Sequence, residues 1–349
     1  MIDNNLLNRY TSELLNKYQW TRVYKRGQTR GAYYEYNKAR GTWSKVPTWS
    51  IKEKIAQYLD QVDDYSATLA RELYAFMKYE MKSYNWSEVF GVEPPLKFNF
   101  ANGVFDWDEM KLRERDSTAF FTTVTDYSLE LNRTAPATNQ YFEMVFGENA
   151  QTVKEYIGYS FYPSFRPIQA LMFFKAEGQG KTTLLNYINS LAGDGGASSV
   201  CLRSLKRGHQ LKQLVNRYIN TSDVFGGGSL YTGYLKLLTD NDRMNVDNER
   251  VKNYAKLFFA ANKLPKLYNT SHGWGRRAFV IDLKQVENFN NIIDLNKVYQ
   301  ERGAFVGECL KLAKKAIERK SLTVTDSIEN NRKAWLKSAS ESRLNSFYV

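Results

Sequence analysis

The stretch Leu171–Leu185 reads Leu-Met-Phe-Phe-Lys-Ala-Glu-Gly-Gln-Gly-Lys-Thr-Thr-Leu-Leu, and its residue types and spacing suit the holding of a polyphosphate. Leu171 to Phe174 is an apolar run of the kind that forms a buried strand. A loop of small and polar residues follows, and an apolar-periodic helix then starts with Leu184, Leu185, Tyr187 and Ile188. In a strand, glycine loop and helix N-terminus taken in that order, backbone N–H groups close on phosphate oxygens. Glu177, Gly178, Gln179, Gly180, Lys181, Thr182 and Thr183 form the expected phosphate-binding set. Gly178 and Gly180 let the backbone approach, Lys181 neutralises charge on the outer phosphates, and Thr182 offers a hydroxyl to Mg2+. Lys175 stands where the usual spacing has its first glycine. The competing reading is a chance Gly-Lys-Thr at the start of an ordinary helix.

Further residues downstream fit the same chemistry. Tyr218-Ile219-Asn220-Thr221 is a second apolar-containing stretch, and it ends in Ser222-Asp223. An acid at the end of a second core strand is where a phosphate-loop site needs one, to hold the Mg2+ bound through Thr182. It would otherwise cap an ordinary strand end. Ala255–Ala261 reads as a third buried strand and ends at Asn262, whose amide could orient an attacking water against a γ-phosphate. Arg276-Arg277 precede a further strand, Ala278–Leu283, and are either a phosphate-sensing finger or surface charge.

Composition limits the class. Apolar residues at 43% and charged residues at 25% are ordinary for a globular protein, and 349 residues allow two or three domains. No apolar run approaches a membrane span, and no signal segment opens the chain. Cys201 and Cys309 lie far apart, and with only two histidines the chain offers no zinc-ligand spacing. A reducing, cytoplasmic location is expected. The net charge of +12 favours a polyanionic partner, most simply nucleic acid.

In chain order, residues 1–16 read as a helix, and Lys17–Lys54 is the most basic stretch, with ten Lys/Arg against two Glu. Tyr18, Trp20, Tyr24, Tyr33, Tyr34, Tyr36, Trp43 and Trp49 sit among those charges. Two readings stand. Exposed rings between cations suit single-stranded nucleic acid, whereas buried rings would be the core of a small sheet with a solvated charged face. Ser50–Asp60 and Tyr65–Met81 read as amphipathic helices. Phe98–Phe100, Asn102–Asp106 and Phe120–Thr125 alternate like strands, and Asp106 with Asp108 reads as a polar turn. Ala135–Asn139 reads as a linker, Tyr141–Phe161 and Ser204–Arg217 as helical, and Gly226-Gly227-Gly228 as a flexible loop.

This succession resembles the superfamily 3 helicases of phage, plasmid and large-DNA-virus replication proteins, a branch of the AAA+ ATPases. Lys175–Thr182 is similar to their Walker A motif, Ile219–Asp223 to Walker B, and Leu237–Arg250 to the extra motif between Walker B and sensor 1. Leu257–Pro265 resembles sensor 1, and Arg276-Arg277 the arginine pair before the last core strand. The Asn-Gly-Val-Phe-Asp turn, the Ile157-Gly158-Tyr159 helix end and the tail from Phe305 to Phe347 match the family's flanking segments. Lys175 and Gln179 depart from the usual Gly and Asn, Asp223 has no acidic neighbour, and Asp240-Asn241-Asp242 replaces the usual glycine-containing version of the extra motif.

The resemblance implies an α/β AAA+ P-loop motor with a small N-terminal α+β domain and a C-terminal helical lid. The expected boundaries are 1–97 for the basic and aromatic N-terminal domain, 98–140 for a strand-rich connector, 141–285 for the ATPase domain and 286–349 for the helical subdomain. It implies ATP and Mg2+, a homo-oligomeric, hexameric ring, and translocation on single-stranded DNA, with primase or other replication proteins as further partners. Lys181 and Thr182 would hold phosphates and metal, Asp223 the metal shell, and Asn262 the γ-phosphate and water. Arg276 or Arg277 would reach a neighbour's site, and Arg243, Arg250 or Lys252 would contact DNA from a hairpin. Two other readings remain open: an initiator or loader ATPase that remodels DNA–protein complexes without unwinding, and a non-enzymatic DNA-binding protein with a degenerate nucleotide site.

Overall fold

The computed structural model describes residues 2–90, 96–176, 180–206, 208–223, 229–240, 242–246, 248–268, 272–287 and 289–345. Contacts divide the chain into two units rather than four. The first is Met1–Gly91 with Arg115–Thr122, and the second is Val92–Glu114 with Thr123–Val349. The expected connector is thus shared between the two, and the C-terminal helices belong to the second. Among the described residues no helix is long and apolar enough to cross a membrane.

In the first unit, α1 (Asn4–Tyr18) leads to strands β1 (Trp20–Tyr24), β2 (Ala32–Asn37) and β3 (Thr42–Val46). Helices α2 (Thr48–Gln61) and α3 (Ala67–Glu80), strand β4 (Ser83–Asn85) and the short α4 (Trp86–Phe90) complete it. Asp3 and Ser66 cap α1 and α3 through their side chains, which fixes where those helices begin. The sheet order is β3-β2-β1-β4, antiparallel except for the β1–β4 pair. Alternation sends Trp20, Tyr33 and Glu35 to one face, where Trp20 and Lys54 both donate to the Glu35 carboxylate and the Tyr33 and Tyr74 hydroxyls meet at 2.9 Å. On the other face Phe120 stacks on Trp43 at 4.8 Å between ring centres and meets Tyr34, Tyr84 and Phe90 edge-on. Half of the rings are therefore core, and three more are half-buried. Trp20, Tyr33, Tyr36 and Trp43 are buried, and of the eight aromatics in the basic stretch Trp49 alone is fully exposed, at 67%. Buried faces cannot stack bases, so the charges stand on a sheet whose rings are used internally.

The second unit opens with a meander, β5 (Lys97–Phe100), β6 (Gly103–Asp106) and β7 (Lys111–Arg113). Asp106 accepts from the backbone N–H groups of Asp108 and Glu109, so it is a turn residue. Phe120–Thr125, expected as a strand, forms none: Val124 makes one isolated bridge with Asp194. Helices α5 (Pro136–Phe146) and α6 (Ala150–Ser160) follow. Ala135–Asn139, expected as a linker, contains the first turn of α5, because a proline at the first helical position pre-sets the helical φ and needs no N–H partner.

Next come β8 (Leu171–Lys175), α7 (Lys181–Leu191), β9 (Ala197–Ser198), the short α8 (Gly208–Leu211), β10 (Ile219–Asp223), β11 (Ser229–Tyr231) and α9 (Thr232–Thr239). The expected helix over Ser204–Arg217 is broken into short turns of three and four residues. A hairpin, β12 (Arg243–Val246) and β13 (Glu249–Lys252), precedes β14 (Lys256–Ala261). The remaining elements are β15 (Lys266–Tyr268), α10 (His272–Gly275), β16 (Ala278–Asp282), α11 (Phe289–Ile292), α12 (Leu295–Gln300), α13 (Arg302–Arg319) and α14 (Asp326–Asn345).

Strands β16-β8-β14-β10-β9 form one sheet in that order, and every pairing is parallel. A parallel sheet needs both faces covered, and its inner strands carry continuous apolar runs: Leu171–Phe174 and Leu257–Ala261 are buried at every position. The fold is therefore α/β with helices packed on a parallel sheet.

The C-terminal helices share this core. Phe305, Cys309, Leu310 and Ala313 of α13 pack with Phe142 and Ile157 of α5 and α6. Gly158 permits the approach: a Cβ there would stand 2.0 Å from the Cys309 carbonyl oxygen and 2.8 Å from Ala313 Cβ. Gly158→Ala is expected to cost about 1–3 kcal/mol by overpacking, read as a lower denaturant midpoint with an unchanged slope. Glu155, almost fully buried, accepts from Arg319 and from the Thr323 N–H and hydroxyl, joining α6 to the end of α13. Lys256 at the start of β14 is buried, and its Nζ donates to the carbonyls of Tyr162, Ser164 and Tyr254. Burial pushes its pKa well down.

Candidate functional site

Strand β8 lies between β14 and β16, and its ladder continues past its last residue. Ala176 N–H donates to the Ala261 carbonyl at 3.1 Å, and Leu283 N–H donates to the Lys175 carbonyl at 2.8 Å. Glu177, Gly178 and Gln179 lie outside the described residues, as do Gly226–Gly228 and Asn241. The φ of 108° at Gly180 is a conformation that favours glycine, and Gly180 is the N-cap of α7. Leu184 N–H bonds the Gly180 carbonyl, so the N–H groups of Lys181, Thr182 and Thr183 precede the first bond of the helix ladder and point out of its end. Among the described residues no side chain caps this end, and no acid sits in its first turn. The positive end of the helix dipole therefore stands beside a cation, Lys181, whose Nζ donates to the Ala176 carbonyl at 3.2 Å. The buried face of α7, with Leu184, Leu185, Tyr187, Ile188 and Leu191, fixes that end in place. Thr182 is exposed.

Because every strand is parallel, β8, β14, β10 and β16 all end at one edge of the sheet. Asp223 stands opposite Ala260, and Ala261 opposite Lys175. Asn262, exposed, follows at the tip of β14, which stands between β8 and the strand of Asp223, β10. Ligands of open α/β sheets bind at this carboxyl edge. Lys181, Thr182, Asp223 and Asn262 are thus gathered there by sheet order alone.

Asp223 has the feature that fits a cation. Its Oδ1 is buried with no hydrogen-bond partner among the described residues. An unsatisfied buried carboxylate oxygen is costly, on the order of 1–3 kcal/mol or more, and a divalent ion would remove that cost. With the exposed Thr182 hydroxyl, the donors are hard oxygens of the kind Mg2+ takes.

Lys175 points away from this chemistry. Its Nζ is 3.4 Å from Asp282 Oδ1 on β16, its direct neighbour in the ladder, and Asn331 of α14 donates to the other oxygen of the same carboxylate at 2.9 Å. Sequence reading missed Asp282, although an acid ending an apolar strand was a visible signal. It also missed Asn220, whose buried amide bonds Ser198 and both main-chain groups of Val200 and so fixes the edge strand beside Asp223's strand.

The arginine pair divides. Arg276 is exposed, whereas Arg277 is buried against its own unit, 2.5 Å from Asp240 Oδ1 and bonded to the Lys236 carbonyl and the Thr239 hydroxyl. Arg277 is therefore corrected from a candidate finger to an internal ion pair. Both arginines precede β16, whose first residue, Ala278, stands opposite Leu171 at the start of β8. They lie at the opposite edge of the sheet from Lys181, with the length of β8, roughly 13 Å at ~3.3 Å per strand residue, between the two edges.

The basic hairpin is at that same far edge, immediately before β14. Arg243 stands opposite Lys252, and Asn245 opposite Arg250, so alternation puts all four on one face. The other face is buried through Met244, Val246, Glu249 and Val251. Arg243 and Arg250 are exposed, and Lys252 is partly so.

Comparison with known protein families finds no match, and comparison with curated proteins finds none either. Solved structures do match. The fold is shared with the C-terminal region of NrS-1. An apo A-form structure of that region aligns with a TM-score of 0.57 at 13% identity, covering 95% of this chain and 74% of that one. A second apo structure, of residues 305–718, aligns with a TM-score of 0.56 at 12% identity, covering 96% and 76%. At such identity the likeness is one of fold alone.

Proposed function

We propose that this chain is an ATP-dependent DNA helicase motor of the superfamily 3, AAA+ type, which hydrolyses ATP between subunits of a homo-oligomeric ring and translocates on single-stranded DNA. The observation that carries the reading is the gathering of Lys181, Thr182, Asn262 and Asp223, with its unpartnered Oδ1, at one edge of one parallel sheet. Lys181 and the N–H groups of the first α7 turn would hold the outer phosphates, as the helix N-terminus favours anions. Thr182 and Asp223 would hold Mg2+, which when bound neutralises charge on the β- and γ-phosphate oxygens. Asn262 would orient the attacking water. Arg276 cannot reach its own chain's phosphates across the length of the sheet, which supports its acting on a neighbour's.

The hairpin would track phosphate, not bases. Arg250→Ala is expected to weaken single-stranded DNA binding about equally across sequences and to lower the slope of log affinity against log salt by about 0.7. An unchanged slope in a salt titration would remove Arg250 from the interface. Hydrolysis stimulated by single-stranded DNA, together with displacement of a strand from a forked duplex, tests the whole reading. Stimulated hydrolysis without displacement would favour a loader or initiator, and no hydrolysis at all would leave a DNA-binding protein with a degenerate site.

A further inference from the structure

The buried arginine has no part in the proposed hydrolysis, yet it sits where two functional elements are rooted. Asp240 follows α9 directly and precedes the hairpin. Its carboxylate takes Arg277 at 2.5 Å, and its Oδ1 also accepts from Gln169, just before the phosphate-loop strand, at 3.1 Å. Arg277 adds bonds to the Lys236 carbonyl and the Thr239 hydroxyl, so the end of α9 is held at three points. The other root of the hairpin is fixed as well. Asn253, buried after Lys252, donates to the Leu238 carbonyl of α9 and closes a turn with Ala255 N–H. Both roots therefore end on α9, and α9 ends on Arg277. The main chain of Arg277 is in turn pinned, since its carbonyl accepts from Leu171 N–H at 2.9 Å. Its immediate neighbour is the exposed Arg276.

We propose that Arg277 is a positioning residue that ties the roots of the basic hairpin to the segment carrying Arg276. Engagement of Arg276 with a neighbouring subunit's nucleotide and placement of Arg243, Arg250 and Lys252 on DNA then depend on each other. The proposal rests on the motor reading above. A buried guanidinium held by several fixed acceptors suits such a tie, because its planar fork has one arrangement and tolerates little sliding. Linkage requires the effect to be reciprocal, with nucleotide changing DNA affinity and DNA changing nucleotide affinity by the same factor.

The test is the ratio of oligo-dT affinities with and without a non-hydrolysable ATP analogue, read by fluorescence anisotropy on the full chain. It is run on wild type, Asp240→Asn and Arg277→Lys, with basal ATPase measured on each. Wild type is expected to show at least a ~5-fold nucleotide-dependent change, the lower end of ordinary coupling. Asp240→Asn is expected to bring that ratio close to one while basal hydrolysis stays within about 2-fold. Arg277→Lys, which keeps the charge and loses the fork, should do the same. A ratio that survives in both folded variants overturns the tie. Loss of basal hydrolysis in Arg277→Lys, to the level of Arg276→Ala, would instead return Arg277 to the finger and overturn the proposal. No nucleotide-dependent change in wild type overturns the motor reading as well, so the two failures are told apart.

Discussion

Arg276→Ala is expected to lower ATP turnover by about 10³–10⁵-fold, the range over which an arginine supplied to a phosphoryl-transfer site acts. The residue is exposed, at the sheet edge opposite the phosphate loop, with its backbone fixed through the bonds of Arg277. It therefore contributes little to folding, and surface substitutions of this kind change stability by about 0.5 kcal/mol or less. The deficit should appear in turnover, with ATP binding by isolated subunits and the denaturation midpoint almost unchanged. Stopped-flow or steady-state hydrolysis beside a nucleotide-binding titration reads both. A wild-type rate would make Arg276 surface charge.

Lys181→Ala should lower turnover by about 10²–10³-fold, as removal of a preorganised charge from a developing anion does. The ammonium donates to the carbonyl of Ala176, whose own N–H extends the β8–β14 ladder, so it stands at the carboxyl edge of the sheet. The N–H groups of the first α7 turn remain in the variant, which should retain weak nucleotide binding. The loss should therefore fall more on kcat than on KM. Full activity in Lys181→Ala would contradict a phosphate role for the loop.

Much of this arrangement can be read in the chain itself, because the sheet's inner strands must be apolar on both faces. Leu171–Phe174 and Leu257–Ala261 announce themselves as runs, and Asp223 and Asn262 gain meaning as the residues that end such runs. The order of strands is less accessible. Nothing local to Asn262 says that its strand stands between those of Lys181 and Asp223. Arg276 and Arg277 are alike in sequence, and the burial of the second depends on Asp240, a distant residue. Phe120 misleads for a related reason. Its alternation reads as a strand, but the ring is spent as a plug on the back of the first unit's sheet. Pro136 reads as a break yet begins a helix, since a proline in a first turn and one in a linker look the same in sequence.

On the motor reading, one catalytic site is assembled from two copies of this chain, with Lys181, Asp223 and Asn262 from one and Arg276 from the next. Mixing Lys181→Ala subunits with Arg276→Ala subunits tests this sharing, each alone being lowered by about 10²-fold or more. In mixed rings some interfaces pair an intact phosphate loop with an intact Arg276, so ATP hydrolysis should recover to a fraction that rises and falls with the mixing ratio. No recovery at any ratio, with mixed assembly demonstrated, would contradict the shared site.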